Sequence, residues 1–326
     1  MNAPERSGAS GGGLRIGTRS STLALWQAEQ VRARLLDLDP HRSIEVQIVR
    51  TTGDQISDKA LSQIGDRGIF TKELDRALLE QQVDLAVHSL KDLPTEITEG
   101  ICVSAVLERI DPRDALVVAP GRPRRLHELP AGARIGTSSL RRRAQLLARR
   151  ADLVIEDMRG NLDTRLARIA DGVYDAAVLA WAGIARLGRQ DSVAEILEVP
   201  AWLPAAGQGA LAVTTRCHDA GVIGAVQPLD HAQTRAATTA ERAFLGTLHG
   251  GCQVPIGVLG MVAAELDLHG VVASLDGERV VRGHLRGPLS QPADLGRQLA
   301  EQLLARGAGD ILNEIRAQQL PRPAAP

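Results

Sequence analysis

The sequence predicts an α/β fold: two similar lobes followed by a small α+β domain. Three observations carry this. Short apolar stretches alternate with amphipathic ones from Leu14 to about Leu187, the βα succession that builds sheets flanked by helices. That succession contains an internal echo. Ile16-Gly17-Thr18-Arg19-Ser20-Ser21 resembles Ile135-Gly136-Thr137-Ser138-Ser139, and Asp84-Leu85-Ala86-Val87 resembles Asp175-Ala176-Ala177-Val178, in the same order. From about Pro228 strands are grouped between helices instead of alternating with them. A chain of 326 residues also exceeds what one core usually serves. The expected division is 14–110 with 208–227 for the first lobe, 111–207 for the second and 228–326 for the third domain. A polar, Gly/Ser-rich tail, 1–13, expected to be disordered, precedes them.

Each element has a local reason. Leu14 to Thr18 is a short apolar strand, and Ser20, Ser21 and Thr22 offer N-caps for a helix that Pro40 stops. Ser43 to Arg50 alternates, with Ile44, Val46 and Ile48 on one face. Thr51 to Gly68 is long and rich in Gly and Asp, the mark of a working lid or a disordered loop. An amphipathic helix from Thr71 to Gln82 precedes a buried strand from Val83 to Val87, which ends in the polar turn His88-Ser89-Leu90-Lys91-Asp92-Leu93-Pro94. Ile101 to Leu107 is another strand, and Asp111-Pro112-Arg113-Asp114 reads as a boundary.

The pattern then restarts. Arg134 to Gly136 is a strand, and Thr137-Ser138-Ser139 caps a helix through Arg150. A strand from Leu153 to Glu156, a helix from Asn161 to Ala170, a strand from Asp175 to Leu179 and a short helix from Ala182 to Leu187 follow. Such alternation predicts mostly parallel sheets, with ligands at the strand C-terminal ends. Pro200 to Gly209 reads as a second crossing with a hinge at Gly207-Gln208-Gly209, and Ala210 to Thr215 as a strand returning to the first lobe. In the third domain a helix from Gln233 to Leu248 leads to strands near 257–263, 266–274 and 278–287 and helices near 293–306 and 310–318.

Composition narrows the function. Hydrophobic residues make up 44% and charged residues 24%, ordinary for a globular chain. A net charge of −1 gives no global field for nucleic acid or anionic membrane, so a basic site must be local. No apolar run reaches membrane-spanning length, and the tail lacks the apolar core of a secretion signal. The three cysteines, Cys102, Cys217 and Cys252, are far apart and odd in number, which argues against a disulfide framework and for a reducing compartment. Cys102 and Cys217 read as structural.

Cys252 reads differently. It lies in Leu248-His249-Gly250-Gly251-Cys252-Gln253-Val254-Pro255-Ile256-Gly257, between glycines and a stiffening proline. A lone cysteine is ordinarily a small buried hydrophobe; this open loop favours a covalent attachment point. The other charged feature is Ser138-Ser139-Leu140-Arg141-Arg142-Arg143, at a helix start where free N–H groups and the dipole favour anions. Arg141 and Arg142, on the first turn, suit carboxylates. Arg143, Arg149 and Arg150 read as a solvated face. Arg19, Arg159, Arg165 and Arg186 lie near other strand ends or helix starts. Asp92 beside Lys91 suits stabilising a cation or moving a proton, against the plainer reading of a surface turn. No metal-ligand set, phosphate loop or nucleophile elbow is present.

These motifs together resemble the porphobilinogen deaminase (hydroxymethylbilane synthase) family. The resemblance rests on Arg15 to Gln27, Val87 to Pro94, Ile135 to Arg142, Arg159-Gly160-Asn161, Pro204 to Ala210 and Gly250 to Gly257, in family order. It implies two lobes like those of anion-binding periplasmic proteins and a third domain carrying the cysteine. It implies a cytoplasmic, monomeric transferase of haem and tetrapyrrole biosynthesis that joins four porphobilinogen molecules head to tail, with loss of ammonia, and releases hydroxymethylbilane by hydrolysis. A dipyrromethane cofactor would be held by thioether to Cys252 and contacted by Ser89, Lys91, Thr137, Ser138, Ser139, Arg141 and Arg142. Arg19, Gln27, Arg67, Phe70, Arg159, Arg165 and Arg186 would face substrate, Phe70 either stacking on pyrroles or packing in the core. Asp92 would be the catalytic carboxylate. Gln63 and Arg67 depart from lysines usual in the family loop. Two other classes compete: a two-lobed anion-binding protein without catalysis, which has no use for Cys252, and a nucleic-acid regulator, which would want aromatic stacking or a broad basic surface. Only 2% of residues are aromatic.

Overall fold

A computed structural model describes residues 13–51, 71–250 and 254–319. The first sheet has the order β2-β1-β3-β10-β4, from β1 (Leu14–Thr18), β2 (Ile44–Ile48), β3 (Leu85–Ser89), β4 (Ile101–Val106) and β10 (Leu211–Arg216). The second has the order β7-β6-β8-β5-β9, from β5 (Asp114–Val118), β6 (Arg134–Gly136), β7 (Val154–Glu156), β8 (Ala176–Ala180) and β9 (Val193–Leu197). The orders match position for position, which is the internal echo made structural. The third sheet is the antiparallel meander β11 (Ile256–Val262), β12 (Leu266–Ala273) and β13 (Val280–Gly287).

Three expectations are refined. The sheets are mostly parallel but each holds one reversed strand: β1 pairs in parallel with β2 and β3, while β10 runs antiparallel to β3 and β4. The second sheet repeats this, with β5 antiparallel to β8 and β9. The cause is the two crossings. Each enters the opposite sheet beside its central strand, β4 leading to β5 and β9 leading to β10, so each sheet holds an antiparallel strand from the chain's passage between lobes. Second, β5 and β9 went unpredicted. The polar boundary Asp111-Pro112-Arg113-Asp114 conceals a strand whose first residue, Asp114, is fully buried. Third, Cys102 and Cys217 are bonded to each other, with Cα atoms 5.1 Å apart. They are 115 residues apart in sequence but sit at the facing ends of β4 and β10, where Cys102 is opposite Thr215.

The helices pack through buried apolar residues, and the one expected to be amphipathic, near 71–82, is so. α1 (Thr22–Leu38) buries Ala24, Gln27, Ala28, Val31 and Leu35, one stripe at three- and four-residue spacing, and Ser21 caps it. α2 (Lys72–Leu79) buries Leu74 and Leu78. α3 (Leu140–Leu147), α4 (Leu162–Ala170) and α5 (Trp181–Arg186) each follow a strand of the second sheet. α6 (Ala220–Val226), unpredicted, covers the first sheet's core with Val222 and Val226. In the third domain α7 (Ala232–Thr247), α8 (Pro292–Leu303) and α9 (Gly309–Gln319) share a core around Phe244, Leu268 and Leu299. No helix among the described residues is long and apolar enough to cross a membrane.

Glu241 of α7 is fully buried and joins the three parts. Arg109 of the first crossing donates to Oε1 at 2.5 Å and Oε2 at 3.2 Å, Gly207 N of the second crossing to Oε2 at 2.7 Å, and Gly260 N of β11 to Oε1 at 2.8 Å. Removing one member would leave a buried charge unmatched.

Candidate active site

The segments that follow β1 and β3 line one pocket, and Lys91, after β3, lies in the electrostatic neighbourhood of Arg141 and Arg142, in the helix after β6. After β1, Arg19 leads to Ser21, whose Oγ accepts from Ala24 N and caps α1. After β3 the chain turns through a short 3-10 segment, Leu90–Asp92, which presents Lys91 and Asp92. Arg19, Gln27, His88, Ser89, Thr71 and Asp92 line one pocket. Gln27 is buried and donates to Ser89 Oγ at 2.8 Å. The buried imidazole of His88 pairs with Thr214 Oγ1 at 3.0 Å, and burial, with the Arg19 charge, pulls its pKa down to about 4. His88 is therefore neutral at ordinary pH.

The second lobe supplies cations. Ser139 caps α3 and accepts from Arg142 N. Ser138 Oγ donates to Met158 O at 2.9 Å, and Thr137 Oγ1 accepts from Ser139 N, so this turn is fixed by its own hydroxyls. Arg141 and Arg142 point at Asp114. Arg141 Nη1 donates to Asp114 Oδ2 at 2.7 Å and to Leu203 O at 2.9 Å, and Arg142 Nη2 donates to Asp114 Oδ1 at 2.7 Å. Trp202 Nε1 and Gln208 Nε2 complete the set at 2.8 and 2.9 Å. Although burial opposes it, the two guanidiniums hold the Asp114 carboxyl far below the usual carboxylate range. Sequence reasoning missed Asp114; a single Asp before an apolar run carries no signal of its own. It also missed how the expected hinge at Gly207-Gln208-Gly209 is tied, with Gln208 Nε2 donating to Pro112 O at 2.7 Å.

Lys91 feels the charges of Asp92, Arg142, Asp114 and Arg141, which places the two lobes' charged groups in one electrostatic neighbourhood. Burial is the largest influence and brings its pKa down to about 8. Arg165 feels Arg142, Arg159 and Asp92, and its Nε donates to Gly160 O at 2.8 Å; burial lowers its pKa to about 10. Arg186 stands apart from this group. It donates to Gly209 O at 2.7 Å and lies over Trp26 at 5.8 Å, bridging the hinge to α1. Arg67, Phe70 and Cys252 lie outside the described residues, as does nearly all of the expected lid.

Among the described residues, Arg142 Nε is buried with no hydrogen-bond partner. A buried guanidinium nitrogen without an acceptor is costly and suits a carboxylate-bearing ligand. Dipyrromethane carries acetate and propionate groups, so these residues fit it.

Comparison with known proteins gives the family. A family model described as "Porphobilinogen deaminase, dipyromethane cofactor binding domain" matches residues 14–223, and the family's C-terminal domain model matches 236–305. The porphobilinogen deaminase of Pelotomaculum thermopropionicum is 49% identical over 94% of this chain and 98% of its own length. That of Desulforudis audaxviator is 51% identical over 93% and 97%. That of Synechococcus elongatus is 49% identical over 94% and 97%. A solved periplasmic binding protein of Salmonella typhimurium with high arginine specificity aligns at 11% identity and a TM-score of 0.38, covering 67% of this chain and 91% of its own, too remote to carry an argument.

Proposed function

The chain belongs to the porphobilinogen deaminase family, and from that premise we propose how its residues divide the work. It is a transferase of tetrapyrrole biosynthesis that condenses porphobilinogen with loss of ammonia, and dipyrromethane is its cofactor. The reading of a binding protein without catalysis is not favoured. The cofactor, when bound, supplies the pyrrole end from which the chain of substrate units grows.

Cys252 carries the thioether. Lys91, Arg141 and Arg142 neutralise the cofactor's carboxylates, with Ser89, Thr137, Ser138 and Ser139 shaping the turns that receive them. Arg19, Arg159 and Arg165, with Gln27, receive substrate carboxylates. Arg186 acts from the hinge, and Arg67 and Phe70 complete the substrate side. The observation that carries this is the unpartnered Arg142 Nε beside an Asp114 that already fixes Arg141 and Arg142. Asp114 orients the guanidiniums without consuming all their donors.

Asp92 does the catalytic work. When ammonia leaves porphobilinogen, positive charge spreads over the substrate pyrrole. A carboxylate fixed at the cleft stabilises that charge as it develops, which lowers the barrier instead of merely tightening binding. The chain acts as a cytoplasmic monomer, with no nucleic-acid or membrane partner. Its domains are 14–110 with 208–227, 111–207 and 228–326.

Replacing Asp92 with Ala tests the assignment. We expect kcat to fall by about 100-fold or more, the scale for losing one preorganised charge-stabilising group, while purified protein keeps its covalent pyrrole mass. Near-normal kcat in Asp92→Ala would overturn it.

A further inference from the structure

The two crossings leave and re-enter the first lobe through adjacent strands. β4 carries the chain out and β10 brings it back, paired antiparallel from Ala212–Val106 to Arg216–Ile101. Cys102 lies near the start of β4 and Cys217 directly after β10, where its N–H donates to Gly100 O at 2.8 Å. The bond between them encloses 115 residues of sequence separation, which include both crossings and the whole second sheet. Cys217 is exposed and Cys102 half-buried, so a small molecule reaches the pair from solvent at Cys217. Leu211, at the other end of β10, pairs with Ser89 at the cleft, six residues from Cys217. At strand rise this is about 20 Å.

We propose that Cys102 and Cys217 form a thiol–disulfide exchange site for low-molecular-weight disulfides, which when closed ties the outbound and returning strands together. The Cys217 thiolate attacks one sulfur of the small disulfide. That S–S bond breaks, a mixed disulfide forms on Cys217, and the expelled thiolate takes up a proton. Cys102 thiolate then attacks the Cys217 sulfur and releases the second small thiol as the Cys102–Cys217 bond closes. Two electrons pass from the cysteine pair to one small disulfide, which becomes two thiols. Closing the long loop restricts the unfolded chain and pins an edge strand, so the effect falls on stability. The chemistry, at the far end of β10, is unaffected.

The test uses the full-length enzyme in glutathione buffers stepped from reducing to oxidising. Samples are denatured, alkylated and digested, and the linked Cys102–Cys217 peptide pair is quantified by mass spectrometry beside melting midpoint and kcat. The expected result is a linked fraction that rises from near zero to near one, a midpoint that rises with it by roughly 5–10 °C, and a constant kcat. The Cys102→Ser/Cys217→Ser double variant then melts at the reduced enzyme's midpoint in every buffer. Full linkage in the most reducing buffer would make the bond an inert cross-link, and full alkylation throughout would remove it; either overturns the proposal. A midpoint that stays flat while linkage changes overturns the stapling role.

Discussion

Lys91 shows how much of this site depends on single charges. Burial, helped by the guanidiniums of Arg142 and Arg141, lowers its pKa to about 8 against the opposing pull of Asp92 and Asp114. The ammonium is the form that binds carboxylate, and it is complete only below that value. As pH rises through about 8 the free enzyme loses this cation, so kcat/KM for porphobilinogen should fall by about tenfold per further pH unit. Arginine keeps its charge throughout this range. The Lys91→Arg enzyme should therefore lose the alkaline limb near 8, and a limb that persists unchanged would assign it to another group. The folding cost of burying this charge runs with the same sign. It is present below about pH 8 and fades as pH rises toward the ordinary lysine value of 10.5.

At the scale of elements, the α3 helix is held from both ends. Its N-terminal arginines are anchored on Asp114 of β5, while its C-terminal end meets the turn between β12 and β13. Gly277 makes that contact with φ +77°, and a Cβ placed there would stand 2.2 Å from Ala148 N and 2.6 Å from Leu147 C. Arg143 Nε donates to Leu275 O alongside at 3.3 Å. Gly277→Ala combines backbone strain with a clash against main chain, and should destabilise the protein by about 1–3 kcal/mol. Its melting midpoint should drop by several degrees; an unchanged midpoint would show that the turn does not seat on α3. Such contacts explain what was legible in the sequence. Caps and stripes are local, so α1, α3, α4 and the strand ends carrying Arg19, Ser89, Asp92 and Ser139 could be read directly. Asp114, Glu241 and the Cys102–Cys217 pair could not, because each acquires its meaning from partners dozens of residues away. β5 was hidden for a related reason: its leading residue is an acid, buried only because Arg141, Arg142, Trp202 and Gln208 surround it.

At the scale of the molecule, two sheets of matching strand order exchange strands through two crossings, and the third domain grips both crossings through Glu241. The cations of the second lobe and the carboxylate of the first meet between the lobes, as Lys91 and Arg165 register in their electrostatic neighbours. An enzyme that extends a polymer on a fixed primer needs this division: one part to hold the primer, and facing walls to neutralise a growing load of carboxylates. Such a primer has to be held covalently, at Cys252 in the reading proposed above. Intact mass of the purified protein under denaturing conditions, measured beside a Cys252→Ser variant, tests it most directly. The native chain should carry an excess equal to two linked pyrrole units, and the variant none. An excess that survives in Cys252→Ser, or a native chain that stays at its sequence mass after incubation with porphobilinogen, would contradict it.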